Sequence, residues 1–152
     1  MRDAIILDVD GTLCDVSSVR YHVDLTHPYN TGEKRFDRFH SESVDCPPHQ
    51  EALDEYHKAR EEGLAILVVT GRMEEWKCHT MTWLKEHEVI YDELYMRPQD
   101  DCRKDVIVKT MLLEQIREDG YRPVLAVDDN PAIIGLWKNK GIQVIKIAGW
   151  EE

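Results

Sequence analysis

Ile5-Ile6-Leu7-Asp8-Val9-Asp10-Gly11-Thr12 reads as an apolar strand that delivers two carboxylates and stops at a glycine. Side chains alternate along a strand, so Asp8 and Asp10 fall on the same side where it runs out. Gly11, with no Cβ, lets the backbone turn sharply and come close to a bound group. Two carboxylates this close repel each other unless a cation sits between them or one keeps a proton. A divalent metal is the natural partner; the plainer alternative is a strand that ends in a polar Asp-Gly turn.

Two further apolar runs end in the same way. Leu64 to Val69 leads into Thr70-Gly71-Arg72, and Pro123 to Val127 leads into Asp128-Asp129. Tyr91–Met96 and Ile142–Ala148 read as weaker strands. Helical spacing lies between them: Leu53, Tyr56 and Ala59 between Pro48 and Glu62; Trp76, Thr80, Trp83, Leu84 and His87; Val108, Met111, Leu112 and Ile116 between Cys102 and Glu118; and Pro131 to Lys140. Strands alternating with helices predict an α/β fold, a Rossmann-like doubly wound parallel sheet. Such sheets bind ligands outside the carboxyl ends of their strands. That rule gathers Asp8, Asp10, Thr70, Arg72, Asp128 and Asp129 into one crevice. Lys109 flanks the apolar stripe of its helix, and the sequence leaves open whether it faces solvent or the strand ends.

The chain has 152 residues, 42% of them hydrophobic, which predicts one globular domain. Its 30 acidic residues against 19 Lys and Arg give a formal charge of −11. A protein that coats nucleic acid or an anionic membrane by bulk electrostatics is thereby disfavoured, so an anionic substrate must be gripped locally. The apolar run after Met1-Arg2-Asp3-Ala4 is too short for a signal peptide or a membrane span, which predicts a cytoplasmic protein with no membrane contact. Cys14, Cys46, Cys78 and Cys102 are scattered without a Cys-x-x-Cys pair and read as free thiols.

Residues 14–46 carry turn signals and no sustained period, so they form a small cap-like insertion after the first strand. Its cations and aromatics, among them Arg20, Arg38 and Phe39, are suited to hold a phosphate and stack a base. The alternative is an ordinary solvated loop.

Four carboxylates balanced only by Arg72 and Lys109 suit Mg²⁺, a hard cation, with Asp8, Asp10, Asp128 and Asp129 as candidate ligands. A carboxylate is ionised at neutral pH, so Asp8 can attack phosphorus without a base, and Asp10 can transfer protons. Thr70 with the neighbouring N–H groups of Gly71 and Arg72 can bond phosphoryl oxygens while Lys109 neutralises their charge.

Asp8-Val9-Asp10-Gly11-Thr12, Thr70 after an apolar strand, Lys109 in a helix and Asp128-Asp129 before another resemble the four motifs of the haloacid dehalogenase superfamily of phosphohydrolases. More narrowly, Pro28-Tyr29, Thr70-Gly71-Arg72 and Arg103-Lys104-Asp105 with Lys109 resemble the 3′-phosphatase domain of bacteriophage-type polynucleotide kinase-phosphatase. The resemblance implies an aspartyl-phosphate mechanism with Mg²⁺ as cofactor, and it adds Arg72 and Asp105 to the catalytic set. The implied substrate is the 3′-phosphate of a DNA or RNA end. A free nucleotide or other small phosphate ester is the alternative, and a catalytically inactive binding domain a third. No Gly-x-x-x-x-Gly-Lys-Ser/Thr loop is present, so no ATP site is expected here. Asn130 and the insertion depart from the pattern, and the oligomeric state is not legible.

Overall fold

The computed structural model describes residues 1–149. Five strands, β1 (Arg2–Leu7), β2 (Ala65–Met73), β3 (Glu93–Arg97), β4 (Tyr121–Asp128) and β5 (Gln143–Lys146), form one sheet in the order β3-β2-β1-β4-β5. Every pairing is parallel, as the alternation of strands and helices predicts. The helices are α1 (Phe36–Ser43), α2 (Gln50–Glu61), α3 (Lys77–Glu86), α4 (Asp105–Glu118) and α5 (Pro131–Asn139).

Both faces of the central strands are covered, which is why they read as continuous apolar runs. Ile5, Leu7, Ile66, Val68 and Val127 pack with Leu53 and Tyr56 of α2, Trp83 and Leu84 of α3, and Val16, Val19, Val23 and Phe39 of the insertion. Ile6, Leu67, Val69 and Ala126 pack on the other face against Val108, Leu112 and Ile116 of α4 and Ile133 and Trp137 of α5.

The element boundaries sharpen the sequence reading in two places. β2 runs on to Met73, but its register against β3 breaks between Thr70 and Met73. Thr70-Gly71-Arg72 thus lie within the irregular end of a strand rather than after it. The insertion is also less irregular than expected, for it holds a 3₁₀ turn at Arg20–His22 and helix α1. Helix α1 has eight residues and no side-chain cap at Arg35, and two of its three buried side chains are polar, His40 and Ser43. An apolar-periodicity search passes over such a helix. His22 Nε2 lies 2.9 Å from Glu42 Oε2 and joins the 3₁₀ turn to α1.

Candidate active site

The carboxyl ends of β1, β2 and β4 lie side by side, and the following turns supply the polar groups. Past β1, the Gly11 N–H donates to Cys14 O at 2.9 Å, closing a turn in which Gly11 has φ +82°. A Cβ at Gly11 would collide with the Asp129 carboxylate. Glycine is therefore required twice over, by conformation and by closeness to an acid. Past β4, the Asp128 carboxylate accepts from the N–H groups of Asp129 and Asn130 at 2.8 and 3.1 Å. The Asn130 side chain then accepts from the Ala132 N–H, and Pro131 starts α5. Asn at this cap position is a common choice, so Asn130 has a structural role of its own.

Asp8, Asp128 and Asp129 are all buried, and each offers an oxygen within 4.8 Å of those of the other two. Lys109 is buried as well; its ammonium donates to Asp8 Oδ1 at 2.9 Å and Asp128 Oδ2 at 3.2 Å. The question that the sequence left open for this lysine is thus settled toward the strand ends. The Thr12 hydroxyl lies 3.1 Å from both Asp8 Oδ2 and Asp129 Oδ1.

Burial and then the Asp128 charge push the Asp8 carboxyl well above its ordinary value, against the pull of Lys109. Burial opposes the charge of Lys109, but Asp128 and Asp8 outweigh it and raise the ammonium. One lysine does not offset three buried carboxylates. A hard divalent cation fits this all-oxygen set and would keep Asp8 ionised.

Asp10 stands apart from that cluster. Burial raises its carboxyl, yet the charge and hydrogen bonds of Arg72 overcome this and lower it. Arg72 Nε and Nη2 donate to the two Asp10 oxygens at 3.0 and 2.5 Å. The sequence reading placed Asp10 among the metal ligands; here its carboxylate is paired in a fork with Arg72, while the acids whose oxygens lie within 4.8 Å of one another are Asp8, Asp128 and Asp129. Arg72 is 2% exposed and also reaches Ser43 Oγ of α1 and Thr80 Oγ1 of α3. The guanidinium thus bonds Asp10, Ser43 and Thr80.

Asp105 opens α4 and pairs with Arg97 of β3. Arg97 donates to Gly71 O at 2.7 Å, Asp101 O at 2.9 Å and Arg103 O at 2.5 Å. It fastens the Thr70–Arg72 segment to the loop before α4. A Cβ at Gly71 would press on Asp105 Oδ1 at 2.9 Å. Buried Thr70 accepts from the Arg72 N–H at 3.2 Å.

In the insertion, Arg20 belongs to the 3₁₀ turn and Arg38 is an exposed residue of α1. Phe39, expected to stack a base, is 2% exposed and built into the core, so its ring is not presented to solvent. Sequence reasoning passed over Thr12, His40, Ser43, Thr80 and Arg97 as site residues. Of these Thr12 carried a signal as the last residue of the Asp8-Val9-Asp10-Gly11-Thr12 motif, and Arg97 as a cation closing a weak apolar run.

Comparisons with known proteins agree with this geometry. The family model described as the polynucleotide kinase PNKP phosphatase domain matches residues 2–150. A protein of Autographa californica nuclear polyhedrosis virus, provisionally named a bifunctional polynucleotide kinase/RNA ligase, is 24% identical over 143 residues, or 93% of this chain and 19% of its own length. A chain of the Pnkp1/Rnl/Hen1 complex superposes with a TM-score of 0.77 at 22% identity, covering 97% of this chain and 46% of that one. A class C acid phosphatase from Bacillus anthracis, solved with tungstate, gives a TM-score of 0.64 at 17% identity over 96% of this chain and 66% of its own. The chain therefore spans less than half the length of the first two relatives. With its Asp8-x-Asp10 turn, buried Lys109 and Asp128-Asp129 pair on a five-stranded parallel sheet, the chain belongs to the phosphatase-domain family of polynucleotide kinase PNKP, within the haloacid dehalogenase hydrolases.

Proposed function

We propose that this chain is a Mg²⁺-dependent phosphatase that removes the 3′-phosphate from DNA or RNA ends through an aspartyl-phosphate. The observation that carries the proposal is the division of labour between two carboxylates two residues apart: Asp8 lies with Lys109 and the Asp128-Asp129 pair, whereas Asp10 is held by Arg72. Asp8, ionised beside a bound cation, attacks phosphorus, and the leaving oxygen departs from the opposite side. Asp10, which Arg72 keeps ionised at rest, takes a proton from the water that cleaves the aspartyl-phosphate and hands it to a leaving oxygen in the next turnover. Lys109 stays charged throughout and offsets the phosphoryl oxygens. When bound, Mg²⁺ would be held by Asp8, Asp128 and Asp129, orienting the phosphate and shielding it from the attacking anion.

The family match and the viral relative's name support a polynucleotide end as substrate. The formal charge of −11 favours a second reading, a small phosphate ester that needs no extended basic groove. Turnover of a 3′-phosphorylated oligonucleotide, compared with 3′- and 5′-mononucleotides, separates the two. Preference for the oligonucleotide is expected; an inert oligonucleotide beside hydrolysed mononucleotides would transfer the assignment to the second reading. Asp8→Asn is expected to reduce turnover of every substrate to background.

A further inference from the structure

Cys14 and Cys46 are the first and last residues of the insertion, and both are buried in the same core cluster. Cys14 Sγ lies 3.8 Å from Ser43 O, and the Cys46 N–H donates to that same carbonyl at 3.0 Å. Two independent contacts on one oxygen bring the pair together. Ser18 Oγ lies 3.6 Å from Cys46 Sγ. The chain around them is already pinned as a neck. Asp15 N–H donates to Pro47 O at 2.8 Å, His49 N–H to Leu13 O at 3.0 Å, and Cys14 bridges Pro48 antiparallel.

We propose that Cys14 and Cys46 are a modification site, a dithiol that a peroxide converts into a disulfide across the neck of the insertion. The proposed catalytic roles use neither thiol. The neighbouring Cys14 thiol brings the Cys46 thiol down to about 7, against the effect of burial, so Cys46 is the attacking sulfur. Its thiolate attacks one peroxide oxygen, the O–O bond breaks, and the departing oxygen takes a proton to leave as water. Cys46 is then a sulfenic acid. Cys14 Sγ attacks that sulfur, the S–O bond breaks, and a second water leaves with the Cys14 proton. The two sulfurs together lose two electrons and the peroxide gains them.

A bond here acts on the site through the backbone. Cys14 bridges Asp10 and accepts from the Gly11 N–H, while Cys46 follows α1, whose Ser43 bonds Arg72. The disulfide joins the turn that presents Asp10 to the helix that helps hold Arg72. It also closes the whole insertion into a covalent loop, which restricts the unfolded chain.

The exposed Cys78 and Cys102 are first replaced by serine, so that only the buried pair remains. This protein is treated with hydrogen peroxide, digested without reduction and mapped by mass. A peptide linked through Cys14 and Cys46, lighter by two hydrogens and restored by dithiothreitol, is expected. The linked protein should melt at higher temperature than the reduced one, and Cys46→Ser should abolish both effects. Recovery of both thiols unlinked from the folded protein would overturn the proposal, as would stable sulfinic acid at either residue in place of the bridge.

Discussion

Arg72 grips both oxygens of Asp10 with two of its nitrogens while Ser43 of the insertion and Thr80 of α3 hold the guanidinium from behind. Helix α1 is thereby wired, through Arg72, to Asp10, the proposed acid/base. Arg72→Lys supplies one point charge in place of a planar fork and cannot serve four oxygens in this geometry. It is expected to lower kcat by roughly a hundredfold or more, the scale of a lost acid/base catalyst. Arg72→Met leaves Asp10 unpaired and should cost about 3 kcal/mol in urea denaturation. Activity that survives Arg72→Met would mean that Asp10 needs no support.

Three buried carboxylates, two of them bonded by Lys109, repel each other, so a cation should stabilise the fold as well as permit turnover. Mg²⁺ at a hundredfold excess over its Kd is expected to add about 2.7 kcal/mol, visible as a raised Tm that EDTA reverses. Asp128→Asn should shrink that rise, since it removes one of the three ligands. A Tm indifferent to Mg²⁺ would dissociate the cluster from metal binding.

His40 is buried on α1, and burial draws its imidazole down to about 4 even though the Asp10 charge pulls the other way. The unfolded chain binds this proton at about 6.5, so it takes up protons before the folded protein does. Stability from His40 is therefore fully present above pH 6.5 and is lost as pH falls toward 4, by up to about 3 kcal/mol. Denaturation midpoints measured across that range should slope downward with acid, and His40→Gln should flatten the slope.

Arg97 holds the carbonyls of Gly71, Asp101 and Arg103 together with the Asp105 carboxylate. Arg97→Ala leaves several of these acceptors without a partner, at about 1–3 kcal/mol for each that stays buried. Hydrogen exchange should quicken in residues 99–104 before it does elsewhere, and kcat should fall because Thr70-Gly71-Arg72 loses its tether. Unchanged exchange in that loop would place the tether elsewhere.

Phe39 and Arg38 are neighbours on α1 with different expected effects. Phe39→Ala empties a core position and should destabilise by about 3–5 kcal/mol, with similar consequences for every substrate. Arg38 is exposed, so Arg38→Ala should leave stability alone and raise KM for the oligonucleotide by roughly tenfold, the equivalent of about 1.4 kcal/mol. An equal rise with para-nitrophenyl phosphate would remove Arg38 from substrate binding.

The sequence by itself determined the parallel sheet and the convergence of the strand ends that carry Asp8, Thr70 and Asp128-Asp129. Apolar runs long enough to be buried on both faces, each ending in polar residues, admit few other arrangements, and the strand-end rule then brings those ends together. Even the alternative left open for Lys109 was one of two.

Only the tertiary structure decided which group each side chain engages. Asp8 and Asp10 are the same residue type two positions apart, and what separates their roles is Arg72 on one side and Lys109 on the other, each reached across more than sixty residues. Phe39 and Phe36 are alike in sequence, yet the first is core and the second half exposed. Periodicity reports which face of an element is apolar; it carries no record of which distant donor fills a given oxygen. Helix α1, whose inner face is a phenylalanine, a histidine and a serine, lay beyond that method for the same reason.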